Sequence, residues 1–154
     1  MQKTYDKSAT AHLTAHIYKN AKMGADSIAD ALKGIKDPEE KEKIKTELTR
    51  EYNEYDRIAT RAEQMLTEMN VKPQEEGMFV KMAAKAGVAM NMMKDSTSSH
   101  VAEMMIEGLS MGVTDTTKRS RQAAENGCDP EVLELADEFI SFQENSVDIM
   151  KKYL

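Results

Sequence analysis

Gly34-Ile35-Lys36-Asp37-Pro38-Glu39-Glu40 is the stretch on which the fold turns. Gly34 offers an exit from one helix, and Asp37 is a good cap for the next. Pro38 suits a first helical turn, while Glu39 and Glu40 put negative charge at the positive end of the helix dipole. So short a link between two helices makes them an antiparallel hairpin. The same grammar returns at Asn126-Gly127-Cys128-Asp129-Pro130-Glu131, so the chain reads as two helical hairpins in sequence.

Working outward, the residues before the first junction predict a helix over 8–35. Its inward stripe is Thr14, Ile17, Ala21, Gly24, Ile28, Ala31 and Ile35, spaced alternately by three and four as one helical face requires. A second helix over 38–70 carries Ile44, Leu48, Glu51, Tyr55, Ile58, Ala62, Met65 and Met69. Val71-Lys72-Pro73-Gln74-Glu75-Glu76-Gly77 breaks the pattern, and a shorter apolar helix is expected over 78–94 with Phe79, Met82, Ala86, Ala89 and Met93 on one side. Asp95-Ser96-Thr97-Ser98-Ser99 then acts as breaker and cap. A helix over 99–125 turns Ala102, Met105, Leu109, Gly112 and Thr116 inward. The last, over 130–153, turns in Val132, Ala136, Phe139, Ile140, Gln143, Val147, Met150 and Leu154. No strand pattern competes. The reading is one all-α domain over 1–154, four long helices with a short extra helix in the crossover.

Composition agrees and narrows the function classes. The 154 residues include only three prolines and seven glycines, no tryptophan, and 40% hydrophobic residues, enough for one self-sufficient core. Thirteen methionines suit helix interiors with irregular gaps, and also adaptable contact surfaces. The net charge of −6, with bases interleaved among acids, argues against a nucleic-acid partner, which would want a basic face. The start, Met1-Gln2-Lys3-Thr4-Tyr5-Asp6, lacks the apolar core of a signal peptide. No run approaches the ~18 apolar residues of a membrane span, so a cytoplasmic protein without membrane insertion is expected. The single Cys128 excludes an intrachain disulfide and fits a reducing compartment. Its place before a helix start could lower its pKa, but no histidine is near in sequence, and an incidental thiol is expected.

This layout resembles the ferritin-like four-helix-bundle superfamily, and particularly its small, uncharacterised bacterial branches, over about Ser8 to Leu154. The most family-like stretch is Ser99-His100-Val101-Ala102-Glu103-Met104-Met105-Ile106-Glu107-Gly108. The resemblance implies two hairpins joined by a long crossover that often contains a short helix. Active members of the superfamily hold two iron or manganese ions at mid-bundle, with a Glu from each of two helices and Glu-x-x-His from each of the others. Here Glu51-Tyr52-Asn53-Glu54, Glu54-Tyr55-Asp56-Arg57 and Glu144-Asn145-Ser146-Val147 all lack the histidine. The resemblance therefore implies the fold without the usual di-metal ligands.

Candidate site residues are few. His12 and His16 stand one turn apart, a spacing able to bind a metal, but counting ~100° per residue both are expected at or near the solvent face. His100 and Glu103 share a polar stripe with Glu107, Ser110 and Thr114. Glu51 and Gln143 are polar residues inside apolar stripes, and with the ferritin-like helix order they fall at one level with Gly24 and Gly112. A buried carboxylate without a partner would have its pKa raised, so Glu51 is expected to be hydrogen-bonded, to Gln143 or to Tyr55. The two glycines at one level imply either a close approach of the first and third long helices or a hollow. No residue set demands a catalytic role. A non-catalytic bundle without cofactor, acting by self-association or by binding another protein, is the leading expectation, helped by Met78, Met82, Met90, Met92 and Met93 of the short helix. The rival is an iron or manganese protein with a reduced site at Glu51 and Gln143, performing iron oxidation, storage or peroxide chemistry. A pocket for an apolar small molecule at the glycine level is a third reading.

Overall fold

A computed structural model of the chain describes residues 4–73 and 97–154. The helix expected over 78–94, with its five methionines, lies outside the described residues. Four long helices follow one another: α1 (Lys7–Gly34), α2 (Pro38–Glu68), α3 (Ser98–Glu125) and α4 (Pro130–Met150). The bundle is all-α, and no strand occurs among the described residues.

The helix starts are set by side chains that satisfy otherwise unpaired N–H groups. Asp6 accepts from the Ala9 N–H at 2.7 Å, Asp37 from Glu39 at 2.9 Å, Thr97 from His100 at 3.2 Å and Asp129 from Glu131 at 2.9 Å. Pro38 and Pro130 occupy the first turns of α2 and α4, as the two junction motifs imply. Gly127 has φ of 82°, the left-handed conformation that ends a helix with least strain. The C-terminal helix is shorter than expected. It closes at Met150 and tightens into a 3-10 turn, Lys151–Tyr153. That turn changes the angular step per residue, and Leu154, expected inward, is 63% exposed.

Cross-chain hydrogen bonds fix the helix order. At one end the Asp6 N–H donates to the Gly127 carbonyl at 2.9 Å, and the Asp129 N–H donates to Thr10 Oγ1 at 3.0 Å. The start of α1 therefore sits beside the α3–α4 turn. At the other end the Ser98 N–H donates to Glu40 Oε2 at 2.8 Å, so α3 begins where α2 begins. Hence α1 and α4 run one way, α2 and α3 the other. Around the bundle α1 lies between α2 and α3, with His16 touching Thr116. Arg57 with Glu138 and Arg61 with Glu131 join α2 to α4. Every neighbouring pair is antiparallel.

Most residues of the stripes read from the sequence form the core, while Met69, Met105, Ile140 and Val147, expected inward, are only half-buried. Ile17, Ile28, Ile44, Leu48, Ile58, Leu66, Leu109, Phe139 and Met150 are wholly or almost wholly buried. Each such side chain contributes about 1.5–3 kcal/mol from burial alone. Tyr55 meets Phe139 and Phe142 edge-on, with ring centroids 6.0 and 5.0 Å apart, and anchors the middle of the bundle. No described helix is long and apolar enough to cross a membrane.

Candidate functional site

Polar groups gather at mid-height. Glu51 and Gln143 are buried, 0% and 3% exposed, as their places within apolar stripes require. The two glycines on α1 and α3 make room for side chains from their hairpin partners. A Cβ at Gly24 would overlap the Tyr55 ring, and a Cβ at Gly112 would overlap the Gln143 carboxamide. Each hairpin thus contains one glycine notch with one large polar side chain seated in it. Close approach of the α1 and α3 backbones is not what the glycines serve.

Glu51 does not receive the expected hydrogen bond. Tyr55 fills the notch at Gly24 and Gln143 the notch at Gly112, and neither is hydrogen-bonded to the carboxyl group. Both Glu51 carboxylate oxygens and Gln143 Oε1 are buried without a hydrogen-bond partner among the described residues. Burial pushes the Glu51 carboxyl up to about 7, the Glu47 carboxylate adds to the rise, and the nearby Ser146 hydroxyl and Arg50 hold it back. Burial likewise drives the Tyr55 phenol well above its usual range. Around neutral pH the centre of this bundle therefore holds an acid divided between its two forms and an amide oxygen that accepts no hydrogen bond from the described residues.

Beside these groups a groove opens between α1 and α3, with a volume of about 860 Å³. Met23 and Ala31 form one wall, and Val101, Met104, Met105 and Leu109 the other. Tyr55 and Gln143 form part of the lining from below, on α2 and α4. Asn20, Glu107, Asp115 and Lys118 are its polar members. Gly108 also lines it, and a Cβ there would meet nothing within 4 Å. An apolar hollow of this size with a few polar groups at its base has the proportions of a small-molecule site. Of the groove's methionines, Met111 is 71% exposed.

The histidines divide. His12 is exposed, as its angle on the helix predicts. His16 is not: it is 5% exposed, with Nε2 3.2 Å from Thr116 Oγ1 and Nδ1 3.2 Å from the Asn20 amide nitrogen. The expectation of a solvent-facing His16 took one inward stripe per helix, whereas a helix in a square bundle buries the sides facing both neighbours. An Asn20 amide donating to Nδ1 leaves the imidazole proton on Nε2, pointing at Thr116. Burial, aided by Arg119 and Lys19 and opposed by Asp115, lowers the His16 pKa to about 4. The ring is a neutral structural contact between the hairpins. His100 stands 3.9 Å from Glu103 on the exposed polar face. Cys128 is buried, and its thiol donates to the Asp129 carbonyl at 3.5 Å. Burial raises its pKa, opposite to the lowering that a helix start could provide.

Among the described residues the donor set does not fit a di-metal centre. Among the described residues no three of His, Cys, Asp and Glu come together closely enough to hold a metal ion. The unpartnered oxygens belong to one acid and one amide, fewer donors than an iron or manganese site uses. Glu54 pairs with Arg57 and Glu144 is exposed, so neither joins Glu51. No family model, no curated protein and no solved structure matches this chain.

Proposed function

We propose that this chain is a non-catalytic, ferritin-like helical bundle that acts by association, the α1–α3 groove holding an apolar guest. The single observation that carries this reading is the groove itself: about 860 Å³ of methionine-rich hollow above the Tyr55 and Gln143 side chains. Unbranched thioethers repack around differently shaped apolar partners at small cost. Support for the ferritin-like relationship is the helix order, with α2 and α3 starting at the same end of the bundle. A single buried thiol at Cys128 supports a reducing, cytoplasmic setting.

The test is binding of a neutral apolar dye, N-phenyl-1-naphthylamine, followed by its fluorescence. Saturable binding at one equivalent is expected, and Gly108→Phe should abolish it by filling the groove from a position with open space around it. Absence of saturable binding, or binding unaffected by Gly108→Phe in a folded variant, would overturn the reading. A second reading, self-association, is favoured by the exposed Met111 at the groove. A mass above one chain by light scattering, reduced by Met111→Glu, would support it, and a strict monomer at micromolar concentration would count against it. The iron or manganese reading has only Glu51 and Gln143 on its side. Stoichiometric metal in protein purified without chelators would revive it.

A further inference from the structure

Resting on the association reading above, we infer that the α1–α3 groove takes the α3 helix of a second copy. The two helices run antiparallel about a two-fold axis, with Glu107 of each chain facing Lys118 of the other. Three groove residues on α3, Glu107, Met111 and Lys118, are all exposed. At ~100° per residue they fall within about 40° of one another around the helix, in a single line along it. Met111 holds the middle of that line, 71% exposed, a large apolar side chain left in solvent beside an apolar hollow.

The charges on that line identify the occupant. Neither Glu107 nor Lys118 forms an ion pair among the described residues. Lys118 comes eleven residues after Glu107, about 16 Å of helical rise, so the two cannot meet within one chain. The third charged member of the groove, Asp115, lies 3.8 Å from Arg119 and is balanced locally. On α1 the groove residues Asn20, Met23 and Ser27 carry no charge. The face thus presents an acid at one end, a methionine in the middle and a base at the other end. Reversed, that pattern is complementary to itself, and a two-fold pair makes each such contact twice.

The same charges select the register. A parallel pair sets Glu107 against Glu107 and Lys118 against Lys118. An antiparallel pair centred on Met111 sets Glu107 against Asp115 twice. Moving the centre to between Gly112 and Val113 sets Glu107 against Lys118, Met111 against Thr114 and Asp115 against Ser110. Like charges placed opposite one another suppress an association, and opposite charges fix its register. Only the last arrangement meets both conditions. Met111 of each copy then lies over the groove of the other, where the flexible thioethers of Met23, Met104 and Met105 can repack around it.

Sedimentation equilibrium of the full chain over the micromolar range tests this. The native chain should form dimers. Glu107→Lys and Lys118→Glu, both at exposed positions, should each weaken the dimer roughly tenfold, and less at high salt. Both changes in one chain should restore dimers to within about threefold of native, and so should mixing the two single variants, because each combination again sets a base against an acid. A strictly monomeric native chain, single variants that dimerise like the native chain, or a double variant and mixture no tighter than the single variants would each overturn the inference. Should one single variant fail to fold, the other compared with the double variant decides. A monomer that binds N-phenyl-1-naphthylamine would overturn this inference and leave the groove reading intact, with a small guest as the occupant. Charge-dependent dimers that bind no dye even when diluted to monomer would support this inference and overturn the small-guest reading.

Discussion

Replacing Glu51 by glutamine should stabilise the protein, and only on the alkaline side. The folded chain holds this carboxyl at about 7 against an ordinary 4.5, chiefly through burial. Below about pH 4.5 the group is protonated folded or unfolded and stability is unaffected. Between 4.5 and 7 the folded state keeps a proton that the unfolded state has released, so stability falls as pH rises. At about 1.4 kcal/mol per pH unit, the loss is about 3 kcal/mol once the solution is above pH 7. Glutamine has the shape of the protonated acid and never ionises. Glu51→Gln should therefore match the native chain within about 1 kcal/mol at pH 4.5 and exceed it by about 3 kcal/mol at pH 8.5, or roughly 6–12 °C in Tm for a domain of this size. Urea denaturation followed by helical circular dichroism at the two pH values measures both numbers. A difference that does not change with pH, or a native chain more stable than the variant at pH 8.5, would refute the account of Glu51 as an unpartnered buried acid.

His16 titrates in the opposite sense: its folded pKa of about 4 lies below the ordinary 6.5, so its stability is present above 6.5 and lost as pH falls toward 4. In a Glu51→Gln background, stability should rise by about 3 kcal/mol from pH 4 to 6.5, and adding His16→Gln should flatten that rise in the same denaturation series. In the native chain the two slopes oppose each other, and stability should change little between pH 5 and 6. At Gly24 the Tyr55 ring occupies the place of a Cβ, while at Gly108 that place is open. Gly24→Ala should therefore destabilise by about 1–2 kcal/mol net, overpacking outweighing helix propensity, and Gly108→Ala should stabilise by about 0.5–1 kcal/mol. Thermal denaturation of the pair checks the contrast.

Much of the architecture was legible because it is written in local chemistry. Asp37-Pro38 and Asp129-Pro130 mark helix starts through groups that act within one turn, and α2 and α4 begin at those prolines. The three-four spacing of Ile44, Leu48, Glu51, Tyr55 and Ile58 placed all five inside, so the buried state of Glu51 and Gln143 could be read as well. What failed depended on more than one helix. His16 needed knowledge of which neighbour covers a second side of α1. The partner of Glu51 needed the rotamers of Tyr55 and Gln143, which are decided by notches at Gly24 and Gly112 on other helices. For Cys128 the sequence already implies an incidental thiol, and only the direction of its pKa shift, raised by burial, depends on how the α3–α4 turn closes over it. The two glycines at one level hinted at the groove, which Gly24 and Gly112 line, whereas its methionines did not stand out from core residues by spacing.

The hydrogen bond from Ser98 to Glu40 also bears on the order in which the molecule is made. During synthesis, residues 7–68 are complete as a local hairpin before Ser98 is added to the chain, and N-terminal units fold first. Glu40 then offers its carboxylate to the exposed amide at the start of α3, and once bonded the Ser98 N–H, together with Lys43, holds that carboxyl in its anionic form. The first turn of α3 is thus tied to a side chain 58 residues earlier in the chain.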